Sequence, residues 1–232
     1  MRVQLNARNR GYEFDVARGE RLLYAGLAHG INLPFECGTG TCGTCKARLT
    51  SGEIDDLWPQ ALGRTYLKQP GEFLMCQAAL RGDVSVEVAS FVYNMDPGAC
   101  VPQHNRGIVR NRRMLTHDVL SFSVDLERPQ DFDAGQFMAI EMPGIAGYRG
   151  YSIVNFERRA TRLDFVVKKK PGGACSEWLC NGDAEGENVR LFGPLGTATF
   201  FPSIAKSVAP KPRSGEGGLL SSLISLPQPR HS

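Results

Sequence analysis

Residues 36–45, ECGTGTCGTC, carry Cys37, Cys42 and Cys45, and thirty residues separate the third cysteine from a fourth, Cys76. This C-x4-C-x2-C…C spacing supplies the four thiolates of a plant-type [2Fe–2S] cluster, two for each iron. Three ligands on one loop require that loop to fold around the metal. The intervening glycines, at positions 38, 40 and 43, permit positive φ angles and close approach of the backbone. Their N–H groups are predicted to bond cluster sulfur and to stabilise its reduced state.

The alternatives for this cysteine pattern are a structural zinc site and unpaired buried thiols. Zinc sites favour C-x2-C pairs that occur twice, and only one such pair is present here. The pattern therefore favours an iron–sulfur cluster. The three remaining cysteines have no ligand spacing and are predicted to be ordinary small residues: Cys100, Cys175 and Cys180.

The segments around the cysteine loop predict a small α+β domain over residues 1–92. Residues 2–7 and 11–16 alternate apolar and polar side chains on either side of a turn, which indicates a hairpin. Residues 20–29 have apolar residues at helical spacing, and Gly30 is a suitable residue to end that helix. Residues 46–50 and 84–88 are predicted strands. The segment FECGTGTCGTCKARLTSGEIDDL, together with Cys76 further along the chain, resembles the N-terminal ferredoxin domain of oxygenase reductases. This resemblance implies a β-grasp fold.

A polar segment rich in proline and glycine, residues 93–105, is predicted to be a linker. Residues 106–202 then contain five or six short strand-like runs with little helix, which is typical of an antiparallel β-barrel. One short helix is predicted at 175–180, after Gly172 and Gly173. The predicted fold is therefore α+β, with a ferredoxin domain followed by a barrel.

Four short motifs in the barrel region are spaced like those of the flavin domain in the ferredoxin–NADP reductase superfamily. They are Arg149-Gly-Tyr151-Ser152, Val167-Lys168, Gly172-Gly173-Ala-Cys-Ser176, and Gly193-Pro-Leu-Gly196. The resemblance implies that Tyr151 packs on the isoalloxazine of FAD, that Ser152 lies near its N5 atom, and that Lys168 is a basic neighbour. Arg149 would pair with the pyrophosphate. Gly172, Gly173 and Ser176 would lie where the helix start favours an anion. An ordinary strand with a surface arginine is the alternative.

Composition excludes some classes of partner and location. The net charge of +3 arises entirely within residues 203–232, so the preceding residues are neutral, and nucleic acid is not expected as a partner. No run of 18 apolar residues and no secretory signal are present, so we expect a cytoplasmic protein without a membrane span.

The composition of residues 203–232 differs abruptly from that of the preceding sequence, because this tail is rich in proline and serine. We expect this tail to be disordered or to be read out of frame. In the family that this chain resembles, a domain that binds NADH follows the barrel, and such a domain needs about 100 residues. We therefore expect the NADH domain to be missing and the chain to be impaired with NADH.

The order of the two domains resembles the reductase components of multicomponent oxygenases, such as the xylene, toluene and phenol monooxygenase reductases that act in aromatic hydrocarbon catabolism. The resemblance implies an NADH-dependent oxidoreductase whose electrons pass through FAD and the [2Fe–2S] cluster to a terminal hydroxylase, free or bound to a membrane. No residue is assigned a catalytic role. The alternatives are a one-electron carrier without enzymatic activity and an inactive truncated product.

Overall fold

The N-terminal alternation forms the hairpin that the sequence predicts. In the computed structural model, which describes residues 1–181 and 184–199, β1 (Arg2–Ala7) pairs antiparallel with β2 (Gly11–Asp15). Helix α1 (Leu22–Ala28) follows, and Gly30 lies just after it at φ +73°, a conformation that glycine adopts without strain. The predicted 203–232 tail lies outside the described residues.

The first domain continues as a set of short strands around the cysteine loop. They are β3 (Ile31–Asn32), β4 (Lys46–Ser51), β5 (Ile54–Asp56), β6 (Glu72–Leu74), β7 (Ala78–Leu80), β8 (Val84–Val88) and β9 (Tyr93–Asn94), with 3-10 turns at Leu62–Tyr66 and Met75–Gln77. The main sheet has the order β2-β1-β8-β4-β6, and β1 runs parallel to the central strand β8. Helix α1 is buried with this sheet in one core, which confirms the β-grasp fold.

The second domain is one antiparallel sheet of six strands. They are β10 (Gln103–Met114), β11 (Val119–Gln130), β12 (Phe137–Glu141), β13 (Arg149–Ser152), β14 (Ala160–Lys168) and β15 (Asn188–Leu195), and helix α2 (Ala174–Cys180) lies between the last two. The order is β13-β12-β15-β10-β11-β14. A bridge between Ile153 and Phe165 joins the two edges, so the sheet closes as a barrel.

The segment predicted as a linker, residues 93–105, carries strand residues at both ends. Tyr93 and Asn94 pair with Asn32 and Ile31, and β10 already begins at Gln103. Backbone pairing therefore ties both ends of this segment to the domain that each end adjoins.

The two domains share part of a hydrophobic core. The core of the first domain includes Tyr148, Phe192 and Leu195 from the second, while a separate cluster fills the barrel. The described residues of both domains accordingly form one compact unit. No helix among the described residues has the length and apolar character needed to cross a bilayer.

Candidate functional site

The loop that carries three of the cysteines has the backbone that its glycines predict. Gly38, Gly40 and Gly43 have φ values of +63°, +95° and +78°. The backbone N–H groups of Thr39 and Thr41 point inward and donate to Cys37 Sγ at 3.4 and 3.3 Å. The loop therefore curls around its own thiols, as a loop must do when it holds a cluster.

The four cysteines lie as two neighbouring pairs. Cys45 and Cys76 are buried with their sulfurs 3.2 Å apart, and the half-buried Cys37 interacts with Cys42. Within residues 1–181 and 184–199, no three or more His, Cys, Asp or Glu side chains are grouped as they would be around a metal ion. A two-iron cluster needs two thiolates at each iron rather than four at one point. The paired arrangement fits that donor set.

The surroundings alter the acidity of these thiols. Burial by itself raises the pKa of Cys37, but hydrogen bonds from Thr41, Thr39 and Cys42 together lower that pKa to about 6. The hydrogen bond between Cys45 and Cys76 lowers the pKa of Cys45 and, with burial, raises the pKa of Cys76. The loop therefore favours a thiolate at Cys37, and thiolate is the form that binds metal.

Residues remote in sequence hold the cysteine loop in place. The Tyr24 hydroxyl donates to Gly38 O at 3.1 Å, and the Gly63 N–H donates to Gly40 O at 2.9 Å. The Met75 N–H donates to Cys45 O at 3.0 Å, next to Cys76. The loop conformation is thus fixed by hydrogen bonds to three other segments of the first domain.

A buried arginine lies beside the fourth cysteine. Arg21 is 7% exposed, and its Nη1 lies 2.7 Å from both Cys76 O and Gln77 Oε1. Its guanidinium also lies over the rings of Tyr24, at 5.9 Å, and Tyr148, at 5.2 Å. The sequence did not single out Arg21, because nothing in its local pattern distinguishes it from a surface residue.

In the barrel, the predicted flavin residues on β13 face the start of α2. Arg149 and Tyr151 both interact electrostatically with Cys175, the second residue of that helix. Burial is the main cause that raises the pKa of Tyr151, and the Arg149 charge opposes it. The Tyr151 ring makes edge contacts with Phe122 and Phe165, so one side of the ring is anchored in the barrel core. Ser152 is exposed beside it.

The polar groups at the start of α2 are largely engaged locally. Ser176 is buried, and its hydroxyl accepts from Lys170 N at 3.0 Å and lies 2.9 Å from Gly173 O. The Gly172 N–H donates to Glu177 Oε1 at 2.8 Å. Ser176 therefore shapes the turn around the glycines rather than facing open space, and a bound anion would have to displace Glu177 from Gly172.

Lys168 lies at the end of β14 with an exposed side chain. Its Nζ is 3.3 Å from Asp118 Oδ2, so its charge is already paired at the surface. Lys168 differs in this respect from Arg149. Arg149 makes no salt bridge with a described carboxylate, and it donates to Tyr148 O at 3.0 Å.

Two contacts connect the cysteine loop with the flavin domain. The Arg149 guanidinium lies 5.5 Å from the ring centroid of Trp58, and a Cβ placed on Gly40 would meet that same ring at 3.1 Å. A Cβ on Gly38 would meet Leu195 Cδ1, in the Gly193–Gly196 motif, at 3.4 Å. Glycine at these two positions therefore lets both side chains approach the loop closely.

Three acidic residues near the loop in sequence are paired with arginines. Asp55 and Glu53 are both paired with Arg81, and Asp56 is paired with Arg64. Their charges are largely neutralised by arginines of the same domain.

Comparisons with known proteins agree with this architecture. Residues 5–81 match the family described as 2Fe-2S iron-sulfur cluster binding domain, and residues 106–200 match the family described as oxidoreductase FAD-binding domain. These two families imply a [2Fe–2S] cluster and FAD as cofactors.

Curated relatives are reductase components of oxygenase systems. The ferredoxin–NAD(+) reductase component of the alkene monooxygenase system of Xanthobacter autotrophicus is 33% identical over 202 residues, which cover 86% of this chain and 61% of that protein. The xylene/toluene monooxygenase electron transfer component of Pseudomonas putida is 31% identical over 205 residues, which cover 88% of this chain and 57% of that protein. This chain thus spans about three fifths of the length of these relatives.

A solved structure, the ferredoxin reductase in carbazole 1,9a-dioxygenase, superposes on this chain with a TM-score of 0.74 at 32% identity. The superposed region covers 87% of this chain and 63% of the solved chain. The chain therefore carries a 2Fe–2S iron–sulfur cluster binding domain followed by an oxidoreductase FAD-binding domain, and it is related to the reductase components of oxygenase systems.

Proposed function

We propose that this chain is the electron-transfer component of a multicomponent oxygenase, which passes electrons from NADH through FAD to a [2Fe–2S] cluster and on to a terminal hydroxylase. The two domain families and the relatives support this proposal. When bound, FAD supplies the exchange between a two-electron hydride donor and a one-electron centre. The chain's own residues bind, orient and shield the two cofactors.

The observation that carries the proposal is the direct packing of the cysteine loop on the flavin domain. Tyr24 donates to Gly38 O in the loop while its ring stacks on Phe192 of the barrel at 4.1 Å. Leu195, from the same barrel strand, closes on Gly38. A loop fixed against the flavin domain in this way keeps the distance between the two cofactor sites constant.

Cys37, Cys42, Cys45 and Cys76 are the proposed cluster ligands, the first two for one iron and the last two for the other. The two sites in this arrangement differ in exposure. Cys45 and Cys76 are buried, whereas Cys37 and Cys42 are half-buried beside the exposed Thr41. The iron held by Cys45 and Cys76 would therefore face the protein interior. The iron held by Cys37 and Cys42 would offer an exit for electrons toward a partner protein.

For FAD, we assign the strongest role to Arg149, which has no carboxylate partner among the described residues and lies near Tyr151 and α2. Its planar guanidinium suits a pyrophosphate. Tyr151 offers a partly exposed ring for the isoalloxazine, and Ser152 a hydroxyl near it. Lys168, Gly172, Gly173 and Ser176 complete the proposed set, with Ser176 holding the turn.

The proposed functional units are residues 1–92 and 106–202, in contact through the shared core. We also propose a cytoplasmic location, which agrees with seven cysteines that are all free of disulfides.

The experiment that tests the proposal is anaerobic reduction of the FAD-loaded chain followed by absorption at the flavin and cluster bands. After selective photoreduction of FAD, the cluster band is expected to bleach within the same chain, at a rate independent of protein concentration. A cluster that stays oxidised while FAD is reduced would overturn intramolecular transfer. Steady NADH consumption in a parallel sample tests NADH as the donor.

A further inference from the structure

Arg21 is a buried cation without a carboxylate partner among the residues that the structure describes. It is 7% exposed, and within residues 1–181 and 184–199 no carboxylate oxygen lies within 4.0 Å of its guanidinium. The neighbouring carboxylates have other partners, since Glu20 pairs with His104 at 3.0 Å and Glu141 pairs with Arg190.

The contacts that Arg21 does make are with neutral groups. Its Nη1 lies 2.7 Å from Cys76 O and from Gln77 Oε1, and two tyrosine rings, of Tyr24 and Tyr148, lie near its guanidinium. Hydrogen bonds and ring faces offset part of the loss of hydration. A buried charge that lacks a charged partner is nevertheless strongly unfavourable, and proteins rarely retain one.

The missing anion is explained by the proposed cluster site. Cys76 is a proposed ligand, and its own carbonyl receives the Arg21 hydrogen bond. A loaded site is negatively charged, because four thiolates and two sulfides outweigh two ferric ions, and reduction by one electron adds a further negative charge without a proton. A cation fixed beside Cys76 stabilises both forms and stabilises the reduced form more.

We propose that Arg21 is a positioning residue whose charge compensates the [2Fe–2S] site and makes its reduction more favourable. This inference rests on the proposed cluster. Arg21 also touches Tyr148 of the flavin domain, so the cation lies on the side of the cluster site that faces the electron donor.

The test is a redox titration of the full, cluster-loaded chain with Arg21→Gln and Arg21→Lys. Gln keeps a donor for Cys76 O but removes the charge, and Lys keeps the charge. At a fixed poised potential, Arg21→Gln is expected to lower the ratio of reduced to oxidised cluster about tenfold, which is about 59 mV for one electron. Arg21→Lys is expected to restore most of that ratio.

The matched control is Arg10→Gln. Arg10 also bonds neutral acceptors, Tyr12 Oη at 2.7 Å and Asn94 Oδ1 at 3.0 Å, and lies over the Tyr12 ring at 4.6 Å, but it is exposed. Its replacement is expected to leave the ratio unchanged, because solvent screens an exposed charge.

Each outcome bears on the inference. A wild-type ratio in Arg21→Gln, or equal losses in the Gln and Lys variants, would overturn the role of the charge. If Arg21→Gln fails to load a cluster and Arg21→Lys loads one, the charge is required; failure of both would instead show a purely structural guanidinium. Wild-type protein without iron and sulfide would refute the cluster itself, and the inference with it.

Discussion

The Tyr24 ring stacks on the Phe192 ring with a centroid separation of 4.1 Å and an interplanar angle of 7°. Tyr24 belongs to α1 of the ferredoxin domain and Phe192 to β15 of the flavin domain, and both are fully buried. The same Tyr24 donates its hydroxyl hydrogen to Gly38 O in the cysteine loop. One side chain thus connects the cluster loop to the barrel.

Phe192→Ala should destabilise both domains together. Loss of a buried aromatic ring costs about 3–5 kcal/mol of unfolding free energy, and Tyr24→Phe, which loses only the hydrogen bond, about 1 kcal/mol. Denaturant unfolding followed by cluster absorbance and by far-UV circular dichroism measures both effects. Phe91→Ala is the control, because Phe91 is 58% exposed. If Phe192→Ala and Phe91→Ala have equal effects, the shared core does not join the domains.

Gly40→Ala should reduce cluster loading. Gly40 has φ +95°, and an added Cβ would lie 2.9 Å from the Gln77 side chain and 3.1 Å from the Trp58 ring, so both strain and crowding would distort the loop. We expect about half or less of the wild-type iron and sulfide per chain, measured by colorimetric analysis. Gly82→Ala should load normally, since nothing lies within 4 Å of its added Cβ. Equal loading of the two variants would show that the loop tolerates a side chain at position 40.

Arg149→Ala should weaken FAD binding more than Lys168→Ala. A hydrogen bond to a charged group contributes about 1.5–3 kcal/mol, so loss of Arg149 should raise the Kd for FAD roughly 10- to 150-fold. Lys168 is exposed and already paired with Asp118, so its loss should change Kd by no more than about threefold. Titration of flavin-free protein with FAD measures both constants. A larger loss with Lys168→Ala would reverse our ranking of the two residues.

Trp58 should report FAD binding through its fluorescence. The chain has two tryptophans, and Trp178→Phe leaves Trp58 as the remaining emitter. Because Arg149 lies over the Trp58 ring, FAD bound at Arg149 should quench this emission as it saturates the site. Arg149→Ala should shift the emission even before FAD is added, whereas Arg158→Ala, whose guanidinium lies over Phe156, should not. If the Trp58 emission changes neither on addition of FAD nor with Arg149→Ala, the flavin binds elsewhere.

Local patterns in the sequence predicted both helices, all six barrel strands and four of the nine strands of the ferredoxin domain. The residues 84–88 and the hairpin alternation correspond to β8, β1 and β2, and six strand-like runs correspond to the six barrel strands. The two-residue strands β3 and β9 were missed because a pairing of Ile31 and Asn94 has no local signal. Spacing alone likewise predicts the proposed cluster ligands, since three of them share one loop.

The contacts between the domains could not be predicted in the same way. Arg21, Tyr24 and Trp58 lie in unremarkable sequence surroundings, and their roles depend on residues more than 50 positions away, such as Cys76 or Phe192. Asp55 and Asp56 lie near the cysteine loop in sequence, and nothing in their local pattern indicates their charge partners. Only the folded chain shows that Asp55 and Asp56 are paired with Arg81 and Arg64.

The most direct test of the central claim is analysis of iron, acid-labile sulfide and flavin in anaerobically purified protein, together with its absorption spectrum. We predict about two irons, two sulfides and one FAD per chain, with the spectrum of a plant-type cluster. Cys76→Ala should abolish iron and sulfide, and Cys100→Ala, which alters a cysteine outside the proposed ligand set, should not. Stoichiometric zinc without sulfide, or a cluster that survives Cys76→Ala, would contradict the account.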